Sequence, residues 1–245
     1  DWSSDVCSSD LATKIALKKL IISIPIDSKD EIDYDYMDDY IGKCNAKRKQ
    51  SLLKQLKKEN LFKSPLLSEE KDAIDTFNND KLVYKEFIIG DLFDIHPTKS
   101  YGYTNAKLYK ILGEVPVLSN SSNNNGIGGY VDLKPKEKGG IITFSDTTLG
   151  SQTIFYQPID FIGYSHVQGL YPFKSELWNE NSLLYFISVF KKNAGNQFDY
   201  SIKFTRDIVS NISIKLPIDS NENIDFNFMN KFINAHKKNI IAKVS

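Results

Sequence analysis

The order of hydrophobic and polar positions predicts helices at both ends of the chain and short strands between them. In residues 34–62 and 226–240, apolar side chains recur at spacings of three and four, as in an amphipathic or coiled-coil helix. A third helical pattern spans 175–192, with Asn181 near its start. Five runs bounded by Gly, Pro and Asn are typical of strands: 83–95, 114–120, 126–133, 139–146 and 153–157. The pattern predicts an α+β fold, a mostly-β domain with one packed helix, flanked by long amphipathic helices.

A duplicated segment organises the chain. Residues 21–41 match residues 213–233 at 9 of 21 positions without gaps, and three further positions exchange Tyr for Phe. Chance would give about one identity, and the offset of 192 residues (217 − 25) is far longer than a solenoid repeat. A whole domain therefore lies between the two copies.

The repeat also predicts domain boundaries. Residues 12–62 are the tail of a preceding unit with its spacer helix, 81–217 form a complete domain, and 218–245 begin a second spacer helix. Residues 63–80 have a linker composition, and residues 1–11 resemble translated sequencing-adapter sequence, so we set them aside. Each repeat helix either packs on its own domain or pairs with the other helix and sets the distance between two domains. For the second interpretation, the predicted contact residues are Met37, Ile41, Met229, Ile233 and Ile240.

Composition favours a globular protein without identifying a partner. Hydrophobic residues are 41% and aromatic residues 12%, enough for a packed core. The 31 basic residues balance 31 acidic ones, and leaving out residues 1–11 removes three aspartates, giving 31 − 28 = +3. This balance gives no electrostatic reason to expect a nucleic acid. The two cysteines have no metal-binding or disulfide spacing. Without an apolar run of 18 residues or a signal segment, we expect a cytoplasmic protein.

Two polar loops and a basic, aromatic stretch are candidates for ligand contact. Residues 119–125 (SNSSNNN) precede three glycines, and Asn amides suit paired hydrogen bonds to adenine edges. Asn and Ser are also ordinary turn residues, so a purely structural role stays open, and the same holds for the loop 145–151. Exposed lysines can hold phosphates. The candidate DNA contacts are Lys99, Tyr101, Tyr103, Asn105, Ser119, Asn120, Ser121, Asn123, Asn124, Asp146, Thr147, Thr148, Ser151, His166, Lys203 and Arg206.

Catalytic motifs are missing from the sequence. It has no phosphate-binding loop, His-Glu-x-x-His helix, Gly-x-Ser-x-Gly elbow or amino-methyltransferase tetrapeptide. The fragment Asp132-Leu133-Lys134 fits part of a nuclease site, but no Asp between Asp94 and Asp132 completes a metal pair. The three histidines are isolated in sequence. We therefore predict a binding protein with no catalytic residue and no metal site.

The order of several short blocks resembles a known family. These blocks are FIIGDLFDI (87–95), VPVLSN (115–120), NGIGGYV (125–131), GGIITF (139–144), GSQ (150–152) and the closing segment from FTR to KLP (204–217). Together with the repeat, they are similar to a target-recognition domain of the specificity subunit of type I restriction-modification systems, or of related fused or type IIB-like systems. The resemblance covers about residues 81–245.

The resemblance implies a division of labour between subunits. Two recognition domains would each read half of a bipartite DNA site, and two long antiparallel helices would separate them and bind modification subunits. The expected partners are double-stranded DNA, the methyltransferase subunit and also a restriction subunit, with no membrane. No cofactor is expected in this chain, because S-adenosylmethionine, ATP and Mg would belong to partner subunits. Two alternatives stay open: a protein-interaction module, favoured by the zero net charge, and a fragment of a methyltransferase or nuclease.

Overall fold

The computed structural model describes residues 23–58, 64–108, 110–146, 150–197 and 204–244. The chain divides into two compact units between Phe62 and Lys63. The described part of the first unit is a turn followed by helix α1 (Tyr34–Lys58). Among the described residues, no helix is long and apolar enough to cross a membrane.

The second unit mixes helices with three antiparallel sheets. In chain order the elements are α2 (Ser68–Asn78), β1 (Tyr84–Ile88), α3 (Ile89–Leu92), β2 (Phe93–Pro97), α4 (Asn105–Leu108), β3 (Leu112–Leu118), β4 (Ile127–Val131), β5 (Ile141–Ser145), β6 (Phe155–Gln157), β7 (Val167–Pro172), α5 (Glu180–Gln197), α6 (Arg206–Ser210), β8 (Ser213–Pro217) and α7 (Phe226–Val244). Strands β2, β7, β5 and β6 form a four-stranded sheet in that order, which we call the main sheet, while β3 pairs with β4 and β1 pairs with β8. The α+β class predicted from the pattern is confirmed.

Strand β7 was not among the predicted strands. It lies in the interior of the main sheet between β2 and β5, yet Gln168 and Gly169 interrupt its apolar pattern. A side chain at Gly169 would collide with the Tyr171 ring, because its Cβ would lie 2.5 Å from a ring carbon. This strand residue is therefore small for a packing reason.

The helix predicted at 175–192 begins later than expected. Asn179 caps it: its carboxamide oxygen accepts the Ser182 amide at 3.1 Å, and the Ser182 hydroxyl accepts the Asn179 amide at 2.8 Å. This reciprocal pair satisfies two free amides at the helix start, so α5 runs from Glu180 to Gln197. Its apolar face packs on the main core, where Phe186 contacts Phe93.

The segment predicted as a linker contains a packed helix. Within residues 63–80, helix α2 buries Ala73 and Glu70. The Glu70 carboxylate accepts the Leu67 amide at 2.8 Å, which caps the helix start. The residues of linker composition at 64–68 therefore lead directly into a packed helix and do not form a flexible linker.

The two repeat copies fold alike. Ile26 bridges Ile32 in the first copy, and Ile218 bridges Ile224 in the second. Asp27 and its equivalent Asp219 each accept two backbone amides across the turn, and Asp33 and its equivalent Asp225 each cap the following helix at 2.8 Å. The sequence duplication is thus a duplication of local structure.

The second repeat helix packs on its own unit over its first turns. Helix α7 contacts α2 and α5, and Met229 is fully buried in the main core. Met229 therefore serves its own core, which corrects its prediction as a contact for another helix, and Ile233 is half-buried on the same core. Met37, Ile41 and Ile240 (61% exposed) keep free apolar surface. Pairing of the two repeat helices stays a prediction.

Candidate nucleic-acid interface

Two polar loops meet at one end of the four-stranded sheet, where β5 ends. One loop follows β3 and the other precedes β7, and the end of β5 is next to the start of β7 because Ser145 pairs with Val167. The Ser145 hydroxyl donates to the Asn120 carboxamide at 3.1 Å, and the Asp146 amide donates to the His166 carbonyl at 2.9 Å. The loop after β3 and the loop before β7 are therefore both fastened to the end of β5.

The loop after β3 is closed by its own hydrogen bonds. The Ser119 amide and hydroxyl both donate to the Gly126 carbonyl, and the Ser121 hydroxyl accepts the Asn123 amide at 3.0 Å. Asn124 donates its side-chain amide to the Ile127 carbonyl at 3.1 Å. The serines and Asn124 thus maintain the loop shape.

Asn120 and Asn123 remain as exposed amides in this loop. Asn120 uses its oxygen for Ser145, and its amide nitrogen makes no hydrogen bond within the described residues. The Asn123 carboxamide is exposed and makes no hydrogen bond with the described part of the chain. A free carboxamide can both donate and accept, as pairing with an adenine edge requires.

Asn125 is a loop residue that was not among the predicted contacts. Its side-chain amide donates to the Tyr156 carbonyl at 2.8 Å, and Gln157 returns a bond to the Asn125 carbonyl at 3.2 Å. Asn124, Asn125 and Gly126 have φ values of 49°, 55° and 74°, the left-handed region that Asn and Gly tolerate best. The run Asn-Asn-Gly was the available signal for this backbone shape.

Asp146, His166 and Gln168 form a second polar group. One oxygen of the Asp146 carboxylate lies 2.9 Å from His166 Nδ1, and the other accepts Gln168 Nε2 at 2.8 Å. Gln168 is buried and Asp146 is half-buried, whereas the His166 side chain is 65% exposed. Asp146 therefore holds its neighbours, and His166 faces solvent.

A strip of lysines and tyrosines continues from the end of β2. Lys107 Nζ lies 4.4 Å from the Tyr103 ring centroid, Tyr103 stacks on Tyr101 at 5.7 Å, and Lys136 Nζ lies 4.2 Å from the Tyr101 ring. The Tyr101 hydroxyl donates to the Lys134 carbonyl at 2.8 Å. We call Lys99, Tyr101, Tyr103, Lys107, Lys134 and Lys136 the Lys/Tyr strip.

The Lys/Tyr strip lies beside the polar loops. The Thr98 amide donates to the Val167 carbonyl at 3.0 Å, and the Lys99 carbonyl accepts the Gly163 amide at 2.9 Å. The strip thus begins next to the loop before β7.

Lys134 and Lys136 were not among the contacts predicted from the sequence, where the alternating lysines at 134, 136 and 138 were the available signal. Lys138 itself is paired with Asp160 at 2.7 Å, and this hydrogen bond lowers the pKa of the Asp160 carboxyl.

Arg206 lies apart from this group. It lines a shallow pocket of about 330 Å³ with Phe93, Asp94 and Phe173 at the other end of β7, whose six residues span roughly 17 Å at ~3.3 Å per residue. It therefore does not join the polar loops, and a DNA contact by Arg206 stays a prediction.

The remaining predicted contacts lie elsewhere. Ser151 lies half-buried in a 3-10 turn, and Asn105 begins helix α4. Thr147, Thr148 and Lys203 lie outside the described residues.

Comparison with known proteins identifies the family of this chain. Residues 83–245 match the family model of the type I restriction modification DNA specificity domain. This match spans two-thirds of the chain, and the chain belongs to that family.

Two known proteins are similar to this chain. The specificity subunit S.BcgI of a type II restriction enzyme from Heyndrickxia coagulans is 29% identical over 164 residues, which are 66% of this chain and 46% of that protein. The crystal structure of a type I restriction-modification S subunit from M. genitalium aligns with a TM-score of 0.50 and 15% identity, over 80% of this chain and 50% of that one. The second match supports the fold alone. The chain spans about half the length of these relatives.

Proposed function

We propose that this chain recognises one half of a bipartite double-stranded DNA site as part of the specificity subunit of a restriction-modification complex. The observation that carries the proposal is the meeting of the polar loops and the Lys/Tyr strip at one end of the main sheet. Rigid strands hold these loops, which is the usual arrangement of a binding site on a scaffold.

The two parts of this surface suit two kinds of contact. The lysines of the strip, two of which (Lys107 and Lys136) hold their ammonium groups over tyrosine rings, suit phosphate oxygens and would fix the register on the duplex. The exposed carboxamide of Asn123 and the exposed amide nitrogen of Asn120 suit base edges in the major groove. Affinity would then come mainly from the strip, and sequence preference from the loops.

Catalysis is assigned to partner subunits in this proposal. A methyltransferase subunit would bring S-adenosylmethionine, and a restriction subunit would bring ATP and Mg²⁺. Family membership supports this division, because the matching model describes a DNA specificity domain.

Binding to a randomised pool of duplexes tests the proposal. We expect the purified chain to enrich one short motif, with log affinity falling linearly with log salt. Four strip lysines on phosphates would give a slope of about −3 to −4 at ~0.9 per phosphate contact. Equal binding of all duplexes would contradict base recognition, and no DNA binding would favour a protein-interaction module. Methyl transfer from labelled S-adenosylmethionine, or plasmid cleavage with Mg²⁺, by the chain alone would favour an enzyme.

A further inference from the structure

His166 is held in a conformation that needs explanation. Its backbone φ is +64°, in the left-handed region that residues other than glycine rarely adopt. A histidine thus occupies a position where glycine would be easier to accommodate. Strained residues of this kind concentrate at binding and catalytic sites.

The hydrogen bonds of Asp146 determine which face His166 offers to solvent. An ionised carboxylate only accepts, and Asp146 receives Gln168 Nε2 on one oxygen and lies 2.9 Å from His166 Nδ1 on the other. The Nδ1 atom therefore carries a proton and donates. In the neutral imidazole, Nε2 is then an acceptor, and within the described residues it has no hydrogen-bond partner.

We infer that His166 is a specificity-determining residue that accepts a hydrogen bond through Nε2 from an exocyclic amino group of adenine or cytosine in the major groove. Asp146 and Gln168 are positioning residues that fix the imidazole tautomer and orientation. This inference rests on the proposed function. Guanine and thymine offer only acceptors at the corresponding major-groove positions, so an acceptor at Nε2 disfavours them.

Three variants separate a recognition role from a structural one. His166→Gly suits the positive φ, so we expect its thermal midpoint to stay at or above that of the unchanged chain. Asp146→Asn replaces the charged acceptor of Nδ1 with a neutral carboxamide oxygen, which holds the imidazole less firmly. His236→Gln, on exposed surface of α7, is the matched control.

The experiment sequences the duplexes that each chain retains from a randomised pool. We expect the unchanged chain and His236→Gln to prefer adenine or cytosine at one position. The preference at this position should fall by about five- to tenfold in His166→Gly and by less in Asp146→Asn. Other positions of the motif should keep their preferences in every variant.

A duplex lacking the single amino group gives the second measurement. If adenine is preferred, it is replaced by purine without the 6-amino group, and if cytosine is preferred, by the pyrimidinone without the 4-amino group. This change should weaken binding to the unchanged chain by about five- to tenfold and leave binding to His166→Gly the same.

Two results would overturn the inference while leaving the proposed function in place. One is an unchanged preference at every position in His166→Gly. The other is equal weakening of all sequences, which identifies a phosphate contact. If the unchanged chain itself enriches no motif, the proposed function fails first.

Discussion

A buried ion pair joins α7 to α2, and breaking it should strongly destabilise the second unit. Glu70 is 2% exposed, and its carboxylate binds the Lys238 ammonium at 2.8 Å from one oxygen and 2.9 Å from the other. Asn234 and the Leu67 amide complete its hydrogen bonds. The Lys238 side chain is 10% exposed, so removing Glu70 leaves an ammonium with little access to water.

Glu70→Ala should lower the free energy of unfolding by about 3–5 kcal/mol, the usual cost of stranding one partner of a buried pair. At a urea dependence of ~2 kcal/mol per M, the unfolding midpoint would fall by roughly 1.5–2.5 M. Fluorescence of Trp178, which packs in the core against Phe93, follows this transition. Glu69→Ala is the matched control, because Glu69 pairs with Lys231 at the surface and should contribute less than about 1 kcal/mol.

A double-mutant cycle tests whether the two charges act as one unit. Lys238→Met alone strands the carboxylate, whereas Glu70→Ala with Lys238→Met removes both charges and should cost much less than the sum of the two single changes. Equal losses for Glu70→Ala and Glu69→Ala, or additive single changes, would refute the view that the buried pair anchors α7.

Three further predictions concern pH and DNA. Burial alone would raise the pKa of the Glu70 carboxyl, but hydrogen bonds from Lys238, Leu67 and Asn234 lower this pKa below its usual value. The ionised Glu70 carboxylate therefore stabilises the fold fully above about pH 4.3, and this stabilisation is lost as the pH falls through the lower pKa of the folded state. Urea midpoints between pH 3 and 7 should show this loss in the unchanged chain and less of it in Glu70→Gln. Lys136→Ala should weaken all duplexes alike and reduce the salt slope by about 1, measured by anisotropy, while Lys71→Ala on α2 changes neither. Asn123→Ala should cost about 1–3 kcal/mol on the preferred motif at unchanged thermal stability, whereas Asn125→Ala should lower the thermal midpoint and weaken every sequence, because it detaches the loop from β6.

Local chemistry made much of the fold predictable. Strands with clear apolar runs, the repeat and the polar loops all follow from side-chain pattern and turn residues. The structure differs from the prediction where a single capping residue sets the start of a helix. Asn179 caps α5, which begins later than predicted, and Glu70 caps α2 in a segment that has linker composition. Strand β7 escaped prediction because Gln168 and Gly169 follow packing and not hydrophobic alternation.

The composition of the candidate site was more predictable than its arrangement. Serine and asparagine runs indicate exposed loops, but the contact of Asn120 with Ser145 joins residues 25 positions apart. The role of Asp146 depends on His166 and Gln168, which lie on another loop and strand. Arg206 shows the opposite case: its basic side chain suits phosphate, but it begins α6 and lines a pocket with Phe93 and Phe173 at the end of β7 away from the polar loops.

The two repeat copies show how one local structure serves two environments. Their turns and helix caps are the same because the aspartates Asp27, Asp33, Asp219 and Asp225 supply the bonds in each copy. Beyond these turns the two helices differ at several positions, and at three of them the first copy has tyrosine where the second has phenylalanine. Phe226, Phe228 and Phe232 pack on the main core, whereas Tyr34, Tyr36 and Tyr40 are exposed among the described residues. A phenol that is buried on a core needs a hydrogen-bond partner, whereas a phenyl ring does not, so phenylalanine suits the packed face of α7. Periodicity predicted the same apolar face for both helices, and the packing of α7 shows how such a face is covered by the domain to which its helix belongs.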